Sequence, residues 1–219
     1  MSEELQRPHV WLPGSDDPPL LLLHGTGGDE HDLLGLRDHL APDAAVLSPR
    51  GSVSEHGMAR FFRRLREGVF DEDDLRLRAD ELAAFLRQAE QKYAVATGSW
   101  LAVGFSNGAN MASALLLRHP ESLAGAVLLA AMVPFQHDES EDQALTGKPV
   151  LIVNGTRDPM ATPDQTSRLA DQLRRRGAEV ELLTFNGGHT IDAGRLPQIK
   201  EFIDRRIRPF TSPGGQAGQ

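Results

Sequence analysis

Six short apolar runs punctuate the chain: "LLLLH" (20–24), "AAVLSP" (44–49), "WLAVGF" (100–105), "GAVLLAA" (125–131), "PVLIVNG" (149–155) and "EVELLTF" (179–185). None shows the clear alternation of a strand with one wet face, so each reads as a strand covered on both sides. Longer amphipathic stretches separate most of them. From Asp73 to Tyr93, residues Leu75, Leu82, Phe85, Leu86 and Ala89 fall near helical spacing behind an acidic lead. Further helices are expected over 107–118, stopping before Pro120, over about 163–176, ended by Gly177, and over 195–207. Strands alternating with helices predict an α/β fold built on a mostly parallel sheet with helices on both faces.

The length of 219 residues suits one domain over 1–208, with 209–219 as a disordered tail ending in "TSPGGQAGQ". A net charge of −8 argues against nucleic acid as a partner. No apolar run approaches the roughly 20 residues that span a bilayer, and the first residues lack a signal-peptide core, so no membrane partner is expected. The chain has no cysteine, which removes disulfides, thiolate metal ligands and a thiol nucleophile together. Cytoplasmic localisation is the expectation. The stretch 51–74, "GSVSEHGMARFFRRLREGVFDEDD", fits the alternation poorly and reads as beginning in a loop.

Gly104-Phe105-Ser106-Asn107-Gly108 matches G-x-S-x-G, with a strand leading in and a helix leading out. In that setting the glycines let a sharp turn pass close to its neighbours, and the serine stands at the carboxyl edge of the sheet. A turn serine or a helix cap would also satisfy the pentapeptide. Two residues further along the chain favour a nucleophile. Asp158 lies just past "PVLIVNG", and His189 lies in "NGGHTID" just past "EVELLTF". In a parallel sheet these loops share one edge, and the order Ser, Asp, His is that of a nucleophile-elbow enzyme. His189 would take the Ser106 proton and Asp158 would orient the imidazole. The backbone N–H of Asn107 and that of Thr26, in "HGTGG" (24–28), are the candidate oxyanion donors. That glycine cluster lacks the lysine of a phosphate-binding loop.

Together "LLLLHGTGGDEHDLLGL", "GFSNGA", "GTRDPMATP" and "GGHTI" resemble the phospholipase/carboxylesterase branch of the α/β-hydrolase superfamily. Within it, the small bacterial esterases of the hydroquinone-resistance type are most similar, and "SPRG" (48–51) and "MARFFRRLREGVFDEDDL" (58–75) extend the likeness. Over roughly 15–207 the resemblance implies an α/β-hydrolase fold with little or no cap domain. It also implies a serine esterase, with Ser106, Asp158 and His189 as triad and Thr26 and Asn107 at the oxyanion. A short chain with no large insertion implies an open site, so activity on small, soluble esters is expected, with no cofactor and no metal. Homodimers are a habit of the family.

For the pocket, Phe61, Phe62 and Phe70 are candidate walls, with ordinary packing under a loop as the alternative. Met132, Met160 and Ile191, after strand ends or beside the triad, are candidate lining residues too. His24 is expected to hold the glycine loop. Asp29, Glu30, His31 and Asp32 read as a solvated loop rather than a metal site. Lysophospholipase or acyl-protein thioesterase activity and acyl transfer stay open, as does a non-catalytic binding protein on the same fold. A dienelactone-hydrolase-like enzyme is disfavoured by the missing cysteine.

Overall fold

A computed structural model describes residues 5–137 and 142–206; the expected tail at 209–219 lies outside them. Strand β1 is His9–Leu12, β2 is Asp16–Leu23, helix α1 is Leu36–Leu40 and β3 is Ala44–Pro49. Two small hairpins come next, β4 (Val53–Glu55) with β5 (Met58–Arg60) and β6 (Arg64–Arg66) with β7 (Val69–Phe70). Then come α2 (Glu72–Tyr93), β8 (Trp100–Phe105), α3 (Asn107–Arg118) and β9 (Leu123–Leu129). The chain continues through β10 (Pro149–Gly155), α4 (Pro163–Arg175), β11 (Glu179–Phe185) and α5 (Leu196–Arg206).

The main sheet has seven strands in the order β1-β3-β2-β8-β9-β10-β11. All neighbours are parallel except β1, which runs antiparallel along β3. Residues alternate between two cores, as a sheet covered on both faces requires. Leu21 and Leu23 share one cluster with Leu82 and Phe85 of α2, Leu115 of α3 and Leu169 of α4. Leu20 and Leu22 share the other with Leu36 and Leu40 of α1 and Phe202 of α5. In β2, β3, β8, β9 and β10 both faces are apolar, so the alternation that marks a half-exposed strand is absent; β11, at the sheet edge, departs from the expectation, with Glu179, Leu182 and Thr184 exposed.

Helix ends obey local chemistry. Asp71 caps α2 by accepting from the Asp74 N–H at 3.1 Å, with Glu72, Asp73 and Asp74 in the first turn. Thr162 caps α4, with Pro163 in its first turn.

Two elements depart from expectation. The strand read as 125–131 ends at Leu129, because Ala130 takes a positive φ of 54° and sends its N–H to the Val153 carbonyl. The 51–74 stretch begins in a loop at Gly51 and Ser52, as expected, but goes on into the two hairpins and the first residues of α2. His56 and Gly57 both have positive φ, 51° and 83°, the requirement of a tight two-residue turn joining β4 to β5.

Chain connectivity places a crevice. From β2 the chain moves outward to β3, then returns to β8 on the other side of β2, so the winding reverses between them. Loops leaving the carboxyl ends of β2 and β8 part there, which is where open α/β sheets bind ligands.

Candidate active site

Ser106 comes directly after β8 with φ 51° and ψ −111°, a backbone conformation that costs about 1–3 kcal/mol for a residue with a side chain. Its surroundings hold it there. The Ser106 N–H donates to the Leu129 carbonyl at 2.8 Å, and its own carbonyl accepts from Asn110 at 3.0 Å to start α3. A Cβ on Gly104 would lie 2.6 Å from the Gly108 oxygen and 2.7 Å from Ala109. On Gly108 it would lie 2.0 Å from the Leu23 oxygen. Both glycines let α3 start against β8 and β2 with no room between.

His189 and Asp158 meet this serine from the other loops. The His189 Nε2 lies 2.8 Å from Ser106 Oγ, and its Nδ1 lies 2.7 Å from Asp158 Oδ2. Asp158 is 3% exposed and its second oxygen accepts from the N–H groups of Met160 at 2.8 Å and Ala161 at 3.0 Å. With both oxygens engaged, the carboxylate cannot rotate away. An ionised carboxylate accepts, so Nδ1 carries the proton and Nε2 is left to accept from the serine hydroxyl. Chemically, the arrangement can move a proton from Ser106 to His189 while Asp158 compensates the charge.

Thr26 and Asn107 line the same cleft. Of the amides beyond Gly25, Gly27 donates to Ala59 and Gly28 to Gly25, while the Thr26 N–H has no partner among the described residues. The Asn107 N–H, in the first turn of α3, is likewise without one. The loop is pinned through His24, whose Nε2 accepts from the Gly51 N–H at 2.9 Å and whose Nδ1–H donates to the Gly25 carbonyl at 2.7 Å. Burial holds this imidazole below its ordinary pKa, so it stays neutral.

The first hairpin docks on this loop and on α3. Besides the Gly27 bond to Ala59, Arg60 Nη1 donates to Thr26 Oγ1 at 2.7 Å and the Phe61 N–H to Asn107 Oδ1 at 2.7 Å. Phe61 and Phe62 are 1% and 0% exposed and belong to the α2–α3 core. They are packing residues, not cleft walls: the Phe61 ring centre lies 4.8 Å from that of His24, and Phe62 meets Phe70 edge-on at 5.0 Å. Ile191 also misses the cleft and packs against the cluster that contains Phe185. Phe70, Met132 and Met160 do line it. Met132 is placed by Asn110, whose Oδ1 accepts its N–H at 2.8 Å.

The cavity is about 210 Å³, and its wall includes Arg60, Arg64, Phe105 and Asn110, which sequence reasoning had not singled out. Phe105 lies under the imidazole, ring centres 5.5 Å apart. Turn glycines after His56 and Glu67 were the available signal that 51–74 forms hairpins and brings its arginines to the cleft. The acidic 29–32 loop is not fully solvated either. Glu30 is buried at 8% exposure and takes a two-pronged ion pair from Arg50, at 2.5 and 2.8 Å. Among the described residues no group of three or more His, Asp or Glu could hold a metal ion, and no helix is long and apolar enough to cross a membrane.

A family model described as phospholipase/carboxylesterase matches residues 14–207. A Bacillus subtilis protein, putative hydrolase MhqD, is 44% identical over 199 residues, which is 91% of this chain and 98% of the relative. A Bacillus cereus carboxylesterase of known structure has a TM-score of 0.88 and 43% identity, covering 92% of this chain and 95% of that one. The structure of YahD with malic acid gives 0.86 at 26% identity, over 92% of this chain and all of that one. The architecture is the α/β-hydrolase fold, with no cap domain among the described residues.

Proposed function

The chain belongs to the phospholipase/carboxylesterase family of ester hydrolases, and from that premise we propose that it is a serine carboxylesterase that hydrolyses small or short-acyl esters through an acyl-enzyme. The observation that carries the reading is the pair of contacts at 2.8 and 2.7 Å that join Ser106 to His189 and His189 to Asp158.

Ser106 Oγ attacks the ester carbonyl carbon as His189 Nε2 takes its proton. Thr26 and Asn107 N–H groups stabilise the oxyanion that forms. The C–O bond to the alcohol then breaks and the imidazolium returns the proton to the leaving alkoxide. Water repeats the sequence on the acyl-enzyme: its proton passes to His189 and then to Ser106 Oγ, and the carboxylic acid departs. Asp158 stays ionised throughout. No step needs a cofactor.

A cavity of about 210 Å³ supports small substrates, and malic acid, the compound in one solved relative, is on that scale. Lysophospholipid or acyl-protein substrates carry long acyl chains, which a cleft this small and partly walled by arginine and asparagine serves poorly.

Incubation with a fluorophosphonate, read by intact-protein mass, tests the proposal. One adduct on the wild type and none on Ser106→Ala is expected. An unlabelled wild type would favour a binding protein instead.

A further inference from the structure

One wall of the cleft is rich in hydrogen-bond donors. Asn107 and Asn110 line it, and the carboxamide oxygen of each is already taken, by the Phe61 N–H at 2.7 Å and the Met132 N–H at 2.8 Å. What they have left is N–H. The Asn107 Nδ2 is buried and has no partner among the described residues. Arg60 is 3% exposed and spends Nε on the Phe62 carbonyl and Nη1 on Thr26, while its Nη2 makes no hydrogen bond among the described residues. Beside it on the wall stands Arg64, whose side chain is 28% exposed.

The charge count at this corner is uneven. Among the described residues Glu55 alone pairs with both guanidinium groups, at 3.2 Å from Arg60 Nε and 2.9 Å from Arg64 Nε. The hydrogen bond from Arg64 holds the Glu55 carboxyl below its usual range, so it is spent as their counter-ion. Two cations share one anion. Glu55 is not itself a lining residue; the acid that lines the cleft, Glu67, is exposed at the turn between β6 and β7, where water screens it. A partly buried excess cation is costly unless an anion meets it. The corner stands out on a chain whose net charge is −8.

We propose that the esters this site is built for carry a carboxylate as well, received by Arg64 with Arg60 and the asparagine amides behind it. The proposal rests on the esterase reading and names its substrate class. A guanidinium presents parallel N–H groups that match a carboxylate and have nothing to offer an alkyl chain. Phe70, Met132 and Met160 supply the apolar remainder of the cleft, and the reacting ester sits at Ser106.

The test is a pair of matched comparisons. On the acyl side, monoethyl glutarate is compared with ethyl pentanoate; on the alcohol side, 3-acetoxybenzoate is compared with its neutral amide. The wild type is expected to favour the charged member of at least one pair by about tenfold or more in kcat/KM, the scale of a charge-assisted hydrogen bond. High salt should erode that preference. In Arg64→Gln the charged-to-neutral ratio should fall about tenfold, and Arg64→Lys should restore part of it, a rescue that a purely structural role would not show. A ratio at or below one for both wild-type pairs overturns the proposal, as does a preference that Arg64→Gln leaves intact. Failure to turn over any ester counts against the esterase reading instead. The anion site is then decided by calorimetry: glutarate should bind Ser106→Ala and not the Ser106→Ala, Arg64→Gln double variant. No binding to either overturns it.

Discussion

Replacing Asp158 by asparagine changes one atom and should disable the site through a tautomer. The Asp158 Oδ1 accepts two backbone N–H groups, at 2.8 Å from Met160 and 3.0 Å from Ala161. An asparagine there must keep its oxygen in that position, because the flipped amide would set NH₂ against two donors. Its nitrogen then faces His189 Nδ1, now 2.7 Å from the second carboxylate oxygen. Nδ1 becomes the acceptor and the ring proton moves to Nε2, so the imidazole meets Ser106 with a hydrogen and cannot take one. A wrong tautomer in a serine–histidine–aspartate triad costs about four orders of magnitude in kcat, or roughly 5.4 kcal/mol of transition-state stabilisation. The side chain is fully buried and near-isosteric, so the fold should survive. The assay is kcat on a short aryl ester beside a thermal melt. An Asp158→Asn variant that folds and keeps more than a tenth of wild-type kcat would refute the tautomer argument and the role given to Asp158.

The remaining expectations concern the supports of the site. In Gly108→Ala, helix propensity gains about 1 kcal/mol, but the new Cβ meets Leu23 backbone at 2.0 and 2.4 Å. Neither strand nor helix can yield without moving Ser106, so a net loss of about 1–2 kcal/mol is expected from overpacking, with kcat clearly reduced; an unchanged melting temperature would contradict the close approach. His24 is neutral in the fold and titrates normally when unfolded, so its contribution is present above about pH 6.5 and declines as pH falls from there toward its depressed folded value. Replacement by glutamine, which keeps an acceptor for the Gly51 N–H, should reduce the drop in melting temperature between neutral and mildly acid pH. Equal drops in both proteins would mean that His24 is not held neutral.

What could be read from the sequence was what the chain states locally. A strand such as "PVLIVNG" is apolar throughout because both of its faces are covered, by Val150 and Ile152 toward one core and Leu151 and Val153 toward the other. Ser106, Asp158 and His189 were legible as candidates because each lies just past such a strand, and parallel strands deliver their exits to one edge. Even β1 and α1, which sequence reading passed over, are too short to carry a period: four and five residues.

The 51–74 segment shows where that reasoning runs out. Phe61 and Phe62 are adjacent, so neither helical nor strand periodicity could assign them one face, yet both are buried because the chain between hairpins turns them under. Arg60 is buried beside them and reaches Thr26, 34 positions earlier in the chain. No local pattern marks such a residue; an arginine in an arginine-rich stretch reads as solvated surface. Its place depends on links that exist only after folding: Gly27 to Ala59, Thr26 to Arg60 and Asn107 to Phe61. These three bonds tie the hairpin to both sides of the crevice, the loop after β2 and the start of α3. The meeting of Ser106, His189 and Asp158 is thus set by the strand edge, which the sequence pattern exposes. The chemistry of the cleft wall is set by a hairpin whose docking is entirely long-range, and it is there, at Arg60 and Arg64, that substrate preference is expected to be decided.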